Sequence, residues 1–271
     1  MRHGVIADVH GNLHALKAVL EVLRRERVEG YLCAGDLVGY GPFPNECVEL
    51  VASLEPVCVA GNHDLIVLGR LSDSRCIPLA RESLRWTRGM LRDDTRAYLE
   101  SLPLRAEANG GAVIAHGSLT DPEEYTRRPA EAAEQLRHLA AELPDATTLI
   151  LGHTHRAWAW DAGTGSLYPS HDASVSLSPN RSCLLNPGSV GQSRERLVRA
   201  RFMVLDTERR RATFYAVPYD LEGCRLALRE QGLPVDSCHL PPSLLPTGLA
   251  PIRGLARRGV GLVADRLRRG K

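Results

Sequence analysis

Short apolar runs, each closed by a polar or glycine-bearing motif, recur through the first 155 residues of the chain. Residues 4–7 (Gly-Val-Ile-Ala), 31–34 (Tyr-Leu-Cys-Ala), 57–60 (Val-Cys-Val-Ala), 112–115 (Ala-Val-Ile-Ala) and 148–151 (Thr-Leu-Ile-Leu) read as buried strands. Between them the apolar spacing switches to the helical period. Leu13, Leu16, Val19, Leu20 and Leu23 fall at helical intervals behind Asn12, a preferred N-cap residue. Further helices are predicted at 44–54, over most of 79–102 and at 131–143. Alternation of this kind predicts a largely parallel, doubly wound α/β sheet. Past residue 155 the pattern changes to short strand candidates at 157–160, 183–186, 202–205 and 213–217, which predict a second, more antiparallel sheet. Two packed sheets with outer helices are the expected architecture.

Composition adds limits to this picture. The chain has 271 residues, 44% of them hydrophobic, enough for a sizeable core. Its net charge of +2 gives no global field toward nucleic acid, so no specific nucleic-acid binding is expected. Lys17 and Lys271 are the sole lysines, so any single arginine is weak evidence of function. The seven cysteines form no CxxC pair and read as free thiols in a reducing compartment. No signal-peptide pattern opens the chain, and no apolar run approaches the ~20 residues of a membrane span; the expected location is the cytoplasm. Pro241, Pro242 and Pro246 break regular structure. The chain therefore divides into a main domain, 1–240, and an extension, 241–271, that ends in a basic segment at 252–271. That segment's partial apolar stripe fits a solvated helix, or one packed on the body or on a second subunit of a homo-oligomer.

The chemistry lies at the strand ends. Asp8-Val9-His10, Gly35-Asp36, Gly61-Asn62-His63-Asp64, His116 and Gly152-His153-Thr154-His155 each follow an apolar run. In an open α/β sheet, ligands bind beyond the carboxyl ends of the strands, so these motifs should converge. Carboxylate, amide and imidazole donors without thiolates suit a borderline divalent metal and not a cysteine-rich structural zinc. Any one of these motifs is weak; all of them in this order, each after a strand, form a specific pattern.

That order resembles the calcineurin-like metallophosphoesterase superfamily over roughly residues 1–220. Gly39-Tyr40-Gly41-Pro42 with Asn45-Glu46-Cys47, His116-Gly117-Ser118, and 186–192 (Asn-Pro-Gly-Ser-Val-Gly-Gln) are similar to a prokaryotic phosphodiesterase branch often likened to diadenosine tetraphosphatase. The resemblance implies a four-layer α/β/β/α sandwich of two mixed sheets flanked by helices. It implies two divalent cations, manganese first, with iron and zinc as alternatives. Asp8, His10 and His155 would ligate one metal, Asn62, His116 and His153 the other, and Asp36 would bridge them. It also implies in-line attack of a metal-bound hydroxide on a phosphodiester, with nucleotide-like diesters among the candidate substrates. The alternatives are a phosphomonoesterase, a dinucleoside polyphosphate hydrolase, or a non-catalytic scaffold with the same fold. His63, beside the ligand Asn62, is the candidate general acid, with Asp64 to orient it. Relatives commonly carry a proline after the residue matching Gln192, where this chain has Ser193-Arg194 and an Arg-rich stretch; Arg194 is a candidate contact for substrate phosphate, as is Arg196.

Overall fold

A computed structural model of the protein describes residues 1–169 and 172–241; His171 and the basic segment 252–271 lie outside them. The first sheet contains β1 (Arg2–Ile6), β2 (Gly30–Cys33), β3 (Val57–Cys58), β9 (Ala173–Ser176), β11 (Ala200–Asp206) and β12 (Arg211–Val217), in the order β3-β2-β1-β11-β12-β9. The second contains β4 (Arg105–Ala108), β5 (Ala112–Ala115), β6 (Thr148–Ile150), β7 (Ala157–Asp161), β8 (Gly165–Leu167) and β10 (Cys183–Pro187), in the order β4-β5-β6-β10-β7-β8. β1, β2 and β3 are parallel neighbours, as are β5, β6 and β10; the other pairings are antiparallel.

Alternation along the buried strands divides the core into layers. Val5 of β1, Leu32 of β2, Ile114 of β5, Leu185 of β10 and Met203 of β11 point between the sheets, where Phe214 of β12 is fully buried. Their neighbours Ile6, Cys33 and Phe202 point to the other face of the first sheet, against α1 (Leu13–Arg25), α2 (Pro44–Ala52), α3 (Asn62–Val67), α4 (Pro78–Met90) and α5 (Asp93–Ser101). Val113 and Leu184 point outward from the second sheet onto α6 (Pro129–Glu142). This is the expected four-layer sandwich, and it explains the unbroken apolar runs: each central strand is covered on both faces. Fully burying one large apolar side chain contributes roughly 1.5–3 kcal/mol, so most of the stabilisation comes from these layers.

The structure departs from the predicted elements in four places. The helical stretch 79–102 is two helices, α4 and α5, separated by extended backbone at Leu91 and Arg92; the Arg92 amide donates to Asn45 Oδ1 at 3.0 Å. The motif at 61–64 is a strand end and also the first turn of α3, which begins at Asn62. α7 (Leu221–Glu230), capped by Asp220, was not predicted. Neither were β4, β8 and β9, which lie at sheet edges and carry few apolar residues. His3 is buried with neither ring nitrogen hydrogen-bonded among the described residues.

Candidate metal centre

Parallel strands bring the polar motifs to one edge. The loops after β1 and β2 continue side by side: the Asp8 amide donates to Gly35 O and the His10 amide to Asp36 O, both at 3.0 Å. In the second sheet the Gly152 amide donates to His116 O at 2.8 Å. The sheets are joined at the same level, where the His153 amide donates to Asp8 Oδ1 at 3.1 Å.

These turns are tight enough to require unusual backbone. Asp8, His10, Asp36, His153 and His155 all have φ between 49° and 63°. For a non-glycine residue that conformation costs about 1–3 kcal/mol and persists when the surroundings over-determine it. Two glycines permit the crowding. A Cβ on Gly61 would lie 2.1 Å from Asp36 Oδ1, and one on Gly152 would lie 2.9 Å from Ala34 O. The Asn12 side chain accepts from the Ala15 amide, capping α1, and donates to Gly191 O, so it supports the loops and does not face the cleft.

Imidazole tautomers follow from the carbonyls each ring faces. His10 Nδ1 lies 3.1 Å from Val38 O, His155 Nδ1 2.9 Å from Gln192 O, and His116 Nδ1 2.6 Å from Ala34 O. A carbonyl only accepts, so each Nδ1 carries hydrogen and each Nε2 turns inward. His153 is reversed: its Nε2 lies 3.2 Å from Glu123 O, leaving Nδ1 for the site. In consequence, His10 Nε2 and His155 Nε2 face each other at 3.1 Å. Two opposed lone pairs at that distance are unfavourable unless a proton or cation lies near both.

The remaining donors complete two adjoining groups. Asp8, His10 and His155 place ligand atoms within 4.8 Å of one another, as do Asp36, His116 and His153. Asn62 Oδ1 joins the second group, 3.1 Å from His116 Nε2. Asp36 Oδ2 lies 3.6 Å from His10 Nε2 and 3.3 Å from His116 Nε2, between the groups. Asp8 Oδ2 is buried without a hydrogen-bond partner among the described residues. His10, Asp36 and His63 form a third such cluster. The donor set therefore fits cations: neutral imidazoles, buried carboxylate oxygens without protein donors, and no thiolate.

Electrostatics agree with that fit at His10, His153 and His155, whereas His116 and Asp8, facing each other across the buried site, tend to hold protons. Burial holds His10, His153 and His155 well below the usual imidazole range and lowers His63 to about 4. Burial alone would raise Asp36, but His116, His63 and His10 hold it well below the ordinary carboxylate value. Burial opposes charge on His116 too, yet Asp36 and Asp8 raise it to about 10. Burial raises Asp8 to about 7.

Asp64 departs from its expected role. Its two oxygens accept from the backbone amides of Asp36, Leu37, Val38 and Gly61 at 2.9–3.2 Å. No hydrogen bond or ion pair joins it to the His63 ring among the described residues. Asp64 instead clamps the turn that carries Asp36 to the first turn of α3.

A cleft of about 220 Å³ opens onto these groups. Asp36, Asn62, His63, His153 and His155 line its floor; Arg194 lines its wall. The Arg194 Nε donates to Gln192 Oε1 at 3.2 Å, and nearby tyrosines and Asp8 help keep the guanidinium charged against its burial. Arg196 is exposed. Sequence reasoning missed Tyr125, whose ring lies 4.0 Å from that of His153, and Glu123, whose carbonyl meets His153. It quoted Tyr40 in a motif without a role; the Tyr40 ring lies 4.8 Å from both His10 and His63. Aromatic spacing at 125 gave no signal, but the motif at 39–42 was one.

The calcineurin-like phosphoesterase family pattern matches residues 1–175, and the chain belongs to that family. Membership indicates a hydrolase that acts on phosphoesters with divalent metal. The chain is 32% identical over 221 residues to an uncharacterized protein of Methanocaldococcus jannaschii, covering 80% of this chain and 88% of that one. It is similar to the crystal structure of a metallophosphoesterase from Sphaerobacter thermophilus, with 36% identity, a TM-score of 0.73 and coverage of 88% and 96%. A protein of Pyrococcus horikoshii shares the fold at 20% identity and a TM-score of 0.69, covering 88% of this chain and 96% of that one. No helix among the described residues is long and apolar enough to cross a membrane.

Proposed function

We propose that the protein hydrolyses phosphodiesters with a pair of divalent cations, manganese first by donor type. Asp8, His10 and His155 hold one cation, Asn62, His116 and His153 hold the other, and Asp36 reaches both. The observation that carries this reading is the position of Asp36 Oδ2 between His10 Nε2 and His116 Nε2. When bound, two such ions supply charge neutralisation and an activated water.

The protein's own residues do the rest. Backbone carbonyls fix each ligand imidazole in one tautomer, so donors are arranged before binding. Arg194 contacts a phosphoryl oxygen, held by Gln192. His63 transfers a proton to the departing oxygen, gaining that proton as substrate phosphate charge offsets the burial that otherwise keeps the ring neutral; it lines the cleft, and its Nδ1 is buried without a partner among the described residues. Asp64 is a positioning residue acting through the Asp36 turn.

A substrate panel with metal analysis tests the reading. Purified protein loaded with manganese, iron or zinc should hold two ions per chain by elemental analysis and anomalous scattering. It should cut an aryl phosphodiester at least as well as the matching monoester. One ion at full loading, away from Asp36, overturns the two-metal assignment. A large monoester preference across the panel overturns the diester assignment.

A further inference from the structure

The cleft has two kinds of wall. One is polar, Arg194 standing beside the donor set of the floor. Apolar groups line the cleft as well: Cys76, Ile77 and Ala80 at the start of α4, and Leu240, whose amide donates to Ser193 O at 2.9 Å beside the Arg194 turn. Ala80 and Leu240 are buried and Cys76 and Ile77 are partly buried. A phosphoryl group and metal ligands make no use of such a surface. An apolar surface inside a polar cleft is a recognition feature.

The apolar wall adjoins His63. The Tyr40 amide donates to Ser83 Oγ of α4 at 3.0 Å, and the Tyr40 ring lies 4.8 Å from that of His63. The ester arm nearest α4 is therefore the one that lies beside His63. Volume and charge narrow what that group is. Pockets for drug-sized ligands span about 300–1,000 Å³. A cleft of about 220 Å³ takes the phosphoryl group and one modest arm, leaving the other arm in solvent. Arg75, the other cation that lines the cleft, is shared by Asp121 at 3.5 Å and Glu123 at 3.2 Å. A further phosphate on the enclosed arm would find little free positive charge there.

Resting on the phosphodiesterase reading, we propose that Cys76, Ile77, Ala80 and Leu240 form the leaving-group subsite. The subsite takes an uncharged, apolar alcohol or phenol, and disfavours an arm that continues into polyphosphate.

Two substrates of similar size and leaving-group acidity isolate this effect: methyl 4-ethylphenyl phosphate and methyl 4-(hydroxymethyl)phenyl phosphate. The metal-loaded protein should prefer the ethyl compound about 10-fold in kcat/KM, the scale of a small apolar contact in a pocket. Ile77→Ser should bring the ratio close to one. Ile77 is the N-cap of α4 and makes no side-chain cap, so serine there is a better capping residue and the fold should persist. Leu240→Ser is the second variant and should reduce the same ratio. Metal content and inhibition by inorganic phosphate should not change in either. Binding of the matching non-hydrolysable phosphonates, read by calorimetry, measures the subsite without turnover. A protein that binds with the ethyl preference but cuts neither ester fails the phosphodiesterase reading and keeps the subsite. Equal kcat/KM and equal phosphonate binding in the wild type overturns the subsite. So does a preference that persists in both variants.

Discussion

The floor and the walls of the cleft are built differently. The floor consists of turns that leave central parallel strands, with buried side chains whose ring tautomers are set by backbone carbonyls. The walls come from the start of α4, the loop after β5, the 192–194 turn and Leu240, and hold both partly buried and exposed groups. Buried turns fixed by backbone hydrogen bonds suit a set of metal donors, and loops and helix ends around them suit contacts to substrate. On this view, floor substitutions should remove metal and activity, while wall substitutions should change selectivity with metal retained.

The largest effect should come from Asp36→Asn. One carboxylate is shared between both donor groups, so its loss weakens both cation sites. We expect kcat/KM to fall by about 10³ or more, the scale of removing a central charge-stabilising group. Metal per chain should fall well below two. The metal-free melting temperature should change far less than activity does. Near-normal metal content with lost activity would break the assignment of Asp36 to the floor.

The same contrast explains what was legible in the sequence. Strands such as 112–115 and 148–151 were readable because burial on both faces leaves unbroken apolar runs. The seven candidate donors were readable because each lies within four residues after such a run, and chain direction then predicts where it points. The walls were not readable in that way. Tyr125 and Glu123 reach the centre from an irregular loop, and Leu240 arrives from the far end of the domain. No local period marks a residue that meets the site by tertiary contact alone. Asp64 shows the limit within a motif: its sequence position suggested a partner for His63, whereas its carboxylate is occupied by four amides. Edge strands such as β4, with half its residues exposed, lacked the apolar signal as well.

His63 lies where floor meets wall, and His63→Ala should separate the two behaviours. A lost proton donor typically costs ~10²–10⁴ in rate. That loss should be greatest for alkoxide leaving groups and smaller for nitrophenolate, which departs without a proton. Two ions should remain bound, whereas His116→Ala or His153→Ala should lower metal content. A uniform loss across leaving groups, or a lost ion, would move His63 into the metal-holding floor, as its cluster with His10 and Asp36 allows.

Arg194→Ala should give a smaller, wall-type effect. A charge-assisted hydrogen bond contributes about 1.5–3 kcal/mol, so kcat/KM should fall roughly 10–150-fold with two ions retained. Arg194→Lys should recover part of this, since it keeps charge but not the fork that reaches Gln192 Oε1. Loss of metal in Arg194→Ala would assign the residue to the floor's support.

Arg75 sharpens the comparison because it lines the same cleft with the same charge. Its side chain is 65% exposed, and two carboxylates, Asp121 and Glu123, share it. Exposed pairs of this kind contribute about 0–1 kcal/mol, since water competes for both partners and salt screens them. The guanidinium also has less free charge to offer a phosphate than Arg194 has. Arg75→Ala should therefore change stability by less than about 1 kcal/mol and kcat/KM by at most about threefold. One indirect route could enlarge the effect. The Glu123 carbonyl meets His153 Nε2 at 3.2 Å, so a loosened Glu123 would disturb a proposed metal ligand. Urea unfolding, metal analysis and steady-state kinetics on Arg75→Ala separate these routes. A small change in all three keeps Arg75 as a rim residue. A loss matching that of Arg194→Ala, with metal intact, would show that both arginines contact substrate and that the wall's charge is not confined to one side.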